Sequence, residues 1–367
     1  MEQINQILCE LLRSAMKGDD CQVELSADEW MAVYHLAHRQ SLAGVIYAVA
    51  SHHNLPMPLA IQWTAEAETI RGLNQLLNDE AQRLTALFAQ HGRHSVILKG
   101  QANARLYPDK FLRQPGDIDI WVEGGRENVV ALTHQLFGEF KDNDVSAHHV
   151  HLPVNERGVT VEVHFKPTSM SNPLARKRLL SWLDQEVSTA SLTPEGFCVP
   201  SIRYALAMQL SHIQKHFMVE GVGLRHISDY YCLLQQATAE DREVVGQQLK
   251  RFGLRHTAGA LMWVLGEVLH LEKELMLCEP DSYRGAWMLR EVMEGGNFGR
   301  GFKQHQHGIW RQFFERRWRS WGLLRFDAFE VCCTEVAYAM HLLRSIPERI
   351  RRRSFSLAEA NKRDARK

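Results

Sequence analysis

What this chain lacks narrows the field first. No Cys-x-x-Cys pair occurs in its 367 residues, and the seven cysteines (9, 21, 198, 232, 278, 332 and 333) are odd in number and scattered. Neither a zinc ribbon nor a disulfide framework fits that pattern, and a reducing cytoplasm is the default compartment. There is no excess charge of either sign, because 43 Lys and Arg balance 43 Asp and Glu. Bulk electrostatics therefore do not draw the chain to nucleic acid or an anionic membrane, and a polynucleotide substrate is not favoured. Long hydrophobic runs are absent too. The most apolar window, ALMWVLGEVLHL, is broken by Glu267 and is too short to span a bilayer. MEQINQILCELLRSAM carries Glu2 and Glu10 and no basic region, unlike a signal peptide. No internal repeat is visible.

What is present is an ordinary globular composition, 45% apolar and 23% charged, in a chain long enough for two or three domains. Residues 1–92 read as helices. Leu8, Leu11, Leu12 and Met16 recur at helical spacing, Ser26 with Glu29 makes a capping box, and 60–90 form one long amphipathic helix ending before Gly92. The period then changes. HSVIL (94–98), DIDIWV (117–122), AHHVHLPV (147–154) and VTVEVHF (159–165) read as strands, with a helix over 126–138 and a hairpin signal at Asn155–Gly158. From 171 to 346 the pattern is helical again, and 347–367 is a basic tail poor in apolar residues. The expected fold is α+β: a small mixed sheet over 93–170, embedded in a mainly helical chain.

The chemistry concentrates in ILKGQANARLYPDKFLRQPGDIDIWV (97–122). Side chains two apart on a strand share a face, so Asp117 and Asp119 point one way while Ile118 and Ile120 enter a core. Two carboxylates that close repel unless a cation bridges them. Oxygen ligands suit Mg²⁺ or Mn²⁺. Glu162, alternating with Val161 and Val163, is the third acid that a two-metal site wants, and His164 shares its face. On the phosphate side, Lys99-Gly100-Gln101 ends a strand at a glycine and opens a helix over roughly 101–107, where free amides suit phosphate. Lys99 and Arg113 add positive charge. The chemistry implied is in-line attack of an acceptor hydroxyl or phosphate on the α-phosphate of an NTP.

LKG, then R-x-x-GDIDIWV, then VEVHF resembles the polymerase-beta-type nucleotidyltransferase superfamily. Within it, the likeness is to a branch of largely uncharacterised bacterial nucleotidyltransferases with an LKG step and a GDIDLLV-like strand. His212, His216, Arg225 and Asp229 look like that branch's H-x-x-x-H and GLR-x-x-x-D helices. The resemblance implies a mixed-sheet transferase core with a packed helical domain, an NTP and a divalent metal. Asp117, Asp119 and Glu162 are the implied metal ligands. Lys99, Gly100, Gln101, Arg113, His164 and Arg225 are the candidate nucleotide contacts. The acceptor is unidentified.

Blander readings stand beside these. Arg113 or Arg126 pairing with the acids would make them purely structural, and the fold would then serve as a catalytically silent scaffold. His149 and His151 share a strand face, yet no acid or cysteine sits at a recognisable ligand spacing, so core or solvated histidines are the preferred reading. His212 and His216 lack the glutamate of HExxH. Arg225 and Asp229 either form an i,i+4 helix pair or face the cleft. GGNFGRG (295–301) is no P-loop and reads as a mobile loop, and Trp310, Phe314, Trp318 and Trp321 read as a core-facing stripe.

Overall fold

Helix signals in the first ninety residues translate directly into four helices: α1 (Glu2–Lys17), α2 (Ala27–Arg39), α3 (Ala43–Ala50) and α4 (Met57–Gln90). Ser26 and Glu29 form the reciprocal capping box that starts α2. Pro58 in the first turn of α4 sits where a helix leaves amide hydrogens unused, and Gly92, at φ +67°, follows its C-terminus. The computed structural model describes residues 2–19, 21–138, 140, 144–297 and 309–351.

The sheet is built from β1 (Ser95–Ile97), β2 (Ile118–Val122), β3 (His149–His151) and β4 (Val161–His164), in the order β1-β2-β4-β3. β1 is antiparallel to β2, β2 is parallel to β4, and β3 is antiparallel to β4. Strand alternation gives the sheet two unlike faces. Ile118, Ile120, Val122, Val150, Val161 and Val163 pack against Leu77, Ala81, Leu84 and Phe88 of α4 and against Val129 of α6 (Gly125–Phe137). Each such buried side chain contributes roughly 1.5–3 kcal/mol relative to exposure. The opposite face carries Asp119, Trp121, Glu162 and His164.

Helices dominate the chain beyond the sheet: α7 (Pro173–Glu186), α8 (Ile202–Val219), α9 (Leu224–Gln236), α10 (Ala239–Gln248), α11 (Arg255–Leu269), α12 (Ser282–Gly295) and α13 (Ile309–Arg351). Asn172, Ser201 and Thr238 cap α7, α8 and α10. The arrangement is α+β, a small mixed sheet among helices, as the sequence implies. No helix among the described residues is long and apolar enough to cross a membrane.

Several local expectations need correction. A short two-stranded sheet, β5 (Ser191–Leu192) with β6 (Cys198–Val199), interrupts the stretch read as wholly helical. β2 begins at Ile118, so Asp117 sits just ahead of the strand. α5 is only Gln101–Ala104, three residues shorter than expected, because turns begin at Arg105. Trp321, expected in the core, is 67% exposed, while Leu323 and Phe326 of the same helix are buried. The side chains of Trp310, Phe314 and Trp318 lie outside the described residues, as do 298–301 of the glycine-rich stretch and the tail beyond Arg351. The start of that stretch is anchored: Asn297 is buried, and its Nδ2 donates to Ser41 Oγ at 2.8 Å.

Candidate active site

Register brings the acids together. Asp119 of β2 stands directly opposite Glu162 of β4, which in turn stands opposite His151 of β3. One row along, Trp121, His164 and His149 line up across the same three strands. Side chains directly opposed on one face are within contact range. A carboxylate–imidazole cluster therefore covers the polar face of the sheet.

Asp119 is its buried centre, 1% exposed. His164 Nε2 lies 3.0 Å from Asp119 Oδ1 and Lys99 Nζ lies 3.2 Å from Oδ2. Burial alone would raise the Asp119 pKa, but Lys99 and His164 together hold it below the usual carboxylate range. Asp117 goes the other way. The Asp119 charge beside it, helped by burial, pushes Asp117 up to about 6. The two neighbouring carboxylates are thus shifted in opposite directions, one by its neighbour's charge and the other by the adjacent cations. Glu162 touches three imidazoles: His149 Nδ1 at 3.2 Å, His151 Nδ1 at 3.1 Å and His164 Nε2 at 3.5 Å. Burial opposes its ionisation, yet His164, His149 and Lys99 leave its pKa well below normal. Burial also disfavours the His164 cation, but hydrogen bonds to Asp119 and Glu162 push His164 up to about 9.

Lys99 leads out of β1 and faces the cluster. Burial alone would lower its pKa, but Asp119, Asp117 and Glu162 raise it. Its Nζ also lies 3.4 Å from His212 Nε2 of α8, so the site is walled by the sheet on one side and by α8 on the other. Next comes Gly100 at φ +63°, a conformation that glycine adopts without strain, and a Cβ there would lie 3.4 Å from the Asp117 carbonyl oxygen. The glycine step and the first aspartate are thus in contact, which their separation in sequence does not reveal.

The long segment between them is held from three sides. Asn74 Nδ2 of α4 donates to the carbonyls of Phe111 (2.7 Å) and Arg113 (2.8 Å). Arg71 pairs with Asp109 at 2.7 Å. Arg113 donates from Nε and Nη2 to the two carboxylate oxygens of Asp229 on α9, both at 2.7 Å, and Tyr107 Oη donates to the same carboxylate at 2.7 Å. The side chains of two expected nucleotide contacts are engaged within the protein. Arg113, 4% exposed, has its guanidinium bound by Asp229 inside the protein. Gln101, 3% exposed, donates to Asn78 Oδ1 (2.8 Å) and to the Asn74 carbonyl (3.2 Å). Both hold the loop in place. Of the two readings of Arg225, an i,i+4 helix pair and a cleft-facing cation, Asp229 does feel the Arg225 charge from one turn away, although its carboxylate is gripped by Arg113. Arg225 Nη1 lies 3.8 Å from where a Gly116 Cβ would stand, beside the approach to Asp117. Neither arginine weighed as a neutraliser of the acids serves so, because Arg126 lies over the Phe165 ring. Lys99 and His164 take that part.

The donor set fits a divalent cation. Asp119, Glu162 and His164 offer three ligand atoms within 4.8 Å of one another, and so do His149, His151 and Glu162. Asp119 Oδ2 and His149 Nδ1 are buried yet form no well-aligned hydrogen bond. Carboxylate and imidazole donors of this kind suit Mg²⁺, Mn²⁺ or a borderline transition metal. Sequence reasoning missed Asn74 and Tyr107 and set His149 aside as a core or solvated histidine. The first two stand in no motif, and His149 becomes a neighbour of Glu162 only through the pairing of β3 with β4.

A mixed sheet presenting clustered acids beside a glycine turn defines the class of protein at issue. The chain belongs to the uncharacterised nucleotidyltransferase family, whose profile matches residues 26–270. Among solved structures, an antigenic nucleotidyltransferase-like protein from Paracoccidioides brasiliensis is similar at 18% identity and a TM-score of 0.35, over 56% of this chain and 95% of that one. That likeness is too slight to bear on fold or function. No curated protein matches the chain.

Proposed function

We propose that the protein is a metal-dependent nucleotidyltransferase of the polymerase-beta type, moving NMP from an NTP to a hydroxyl or phosphate on a small molecule or a protein. The observation that supports this most is the register pairing of Asp119 with Glu162, with Asp117 next to them in contact with Gly100. Asp117, Asp119 and Glu162 would hold Mg²⁺ or Mn²⁺. Such ions, when bound, activate the acceptor oxygen and stabilise the leaving pyrophosphate. Gly100 lets the backbone approach the phosphates closely, and Lys99 supplies positive charge beside them. Arg225, flanking Gly116, is a second cation on the phosphate side. His164 keeps Asp119 and Glu162 ionised and oriented between ligand events.

A second reading, a catalytically silent scaffold with this fold, draws on the Lys99–Asp119 pair, which neutralises the central acid without any ion. One experiment separates them. The protein is incubated with each α-labelled NTP, Mg²⁺ or Mn²⁺ and a cell extract. Transfer predicts label in an acceptor together with pyrophosphate release, both abolished by Asp117→Asn combined with Asp119→Asn. Absence of a melting shift with every NTP favours the scaffold, and orthophosphate release without labelled acceptor favours a phosphohydrolase.

A further inference from the structure

We infer that His149, His151 and Glu162 form a transition-metal site of their own, taking a Zn²⁺-class cation (Zn²⁺ or Co²⁺) on the β3 side of the acid cluster. The site shares Glu162 with the proposed transfer centre but does not depend on nucleotidyl transfer taking place.

Three observations carry it. The first is geometry. Glu162 Oε2 lies 3.2 Å from His149 Nδ1, Oε1 lies 3.1 Å from His151 Nδ1, and the two Nε2 atoms are 2.9 Å apart. One ligand atom from each of the three residues lies within 4.8 Å of the other two, and donors about 2.0–2.1 Å from a tetrahedral ion stand roughly 3.3 Å from one another, so the three residues can close on one ion. The second is hydrogen-bond accounting. A carboxylate only accepts, and the Nε2–Nε2 contact places one ring hydrogen between two nitrogens. His149 is 5% exposed and its Nδ1 makes no well-formed hydrogen bond, which leaves ring lone pairs and a buried polar atom unsatisfied. A cation satisfies those lone pairs without a further hydrogen. The third is donor chemistry. His148 and His164 extend the cluster, and His148, His149 and His164 bring ring nitrogens within 4.8 Å of one another. Imidazole selects the Zn²⁺ class, whereas Mg²⁺ wants oxygen.

Topology delivers the three donors to one place. His149 and His151 alternate on one face of a three-residue edge strand, and the antiparallel register sets His151 against Glu162. The test is titration of the metal-free full-length protein with Co²⁺ alone, without nucleotide, followed by visible d–d absorption and then displacement by Zn²⁺. One equivalent of Co²⁺ is expected to bind. His151→Ala and, separately, His149→Asn are expected to weaken it on the order of 100-fold or more, beyond the usual loss on removing an outer partner. Asp117→Asn leaves the affinity within a few-fold. His151 is 24% exposed in its side chain, so if His149→Asn does not fold, His151→Ala decides. No Co²⁺ absorption in the wild type, or loss on Asp117→Asn with neither histidine variant having an effect, overturns the inference. The first of these results would mean that the imidazoles are simply paired with Glu162. Labelled transfer supported by Mg²⁺ is measured separately, so failure here and failure of the transferase reading remain distinct.

Discussion

At the scale of single residues, the acids divide the labour by environment rather than by type. Asp119 is paired on both oxygens and stays ionised, whereas Asp117, up at about 6, carries its proton into the mildly acidic range. An unfolded aspartate titrates near about 3.9. The folded state therefore binds more protons than the unfolded one between those values, and the metal-free protein loses stability as pH rises through about 6. A divalent ion opposes that loss by occupying the ionised carboxylate. The Mg²⁺- or Mn²⁺-induced rise in melting temperature is accordingly expected to be larger at pH 7.5 than at pH 5, and Asp117→Asn is expected to flatten the difference. A metal shift that is equally large at both pH values would remove Asp117 from the ligand set.

At the scale of elements, the segment between α5 and β2 decides the site. It brings Gly100 against the Asp117 carbonyl and is clamped by α3, α4 and α9. Gly100→Ala places a side chain at φ +63°, ψ −104°, a sparsely populated conformation that costs on the order of 1–3 kcal/mol for an L-residue. The Cβ itself meets only ordinary contact at 3.4 Å. The variant should fold with a melting point lowered by a few degrees and with weaker nucleotide binding, read by calorimetry. Gly44 of α3 is the harsher case. A Cβ there would stand 2.3 Å from the Leu112 carbonyl oxygen, so backbone must move. Gly44→Ala is expected to destabilise by about 1–3 kcal/mol, the usual range for overpacking. Chemical denaturation measures it, and an unchanged midpoint would show that this loop is not clamped by α3.

At the scale of the whole molecule, the buried Arg113–Asp229 pair ties the sheet region to the helices beyond it. Burial alone would raise Asp229, but the Arg113 guanidinium, with Arg225 and Tyr107, brings it down to about 2. A depressed carboxylate stabilises the fold above its unfolded value of about 3.9, and that stability fades as pH falls toward about 2. The contribution is about 2–3 kcal/mol at neutral pH, lost across that window. Asp229→Asn leaves a buried guanidinium without its counter-charge and is expected to cost about 3–5 kcal/mol. Acid unfolding of the variant should lose the part of its pH dependence lying between about 4 and 2. An unaltered acid limb would assign that dependence to other carboxylates.

The sequence by itself determined the α+β class, the helices around Ser26 and across 60–90, and which acids alternate with the apolar strand residues. These rest on local period, capping chemistry and charge repulsion, which neighbours along the chain already contain. It also marked the glycine step, because a helix opening after a short apolar run is a local signal. Only the tertiary structure decided what those groups meet. Arg113 looked available to a phosphate and is bound to a residue 116 positions away. Gln101 turned out to be a strut on α4, and His149 and His151 acquired an acid partner through strand register. Burial, long-range ion pairing and the alignment of one strand against another depend on how distant segments pack, and no periodicity within a segment encodes them.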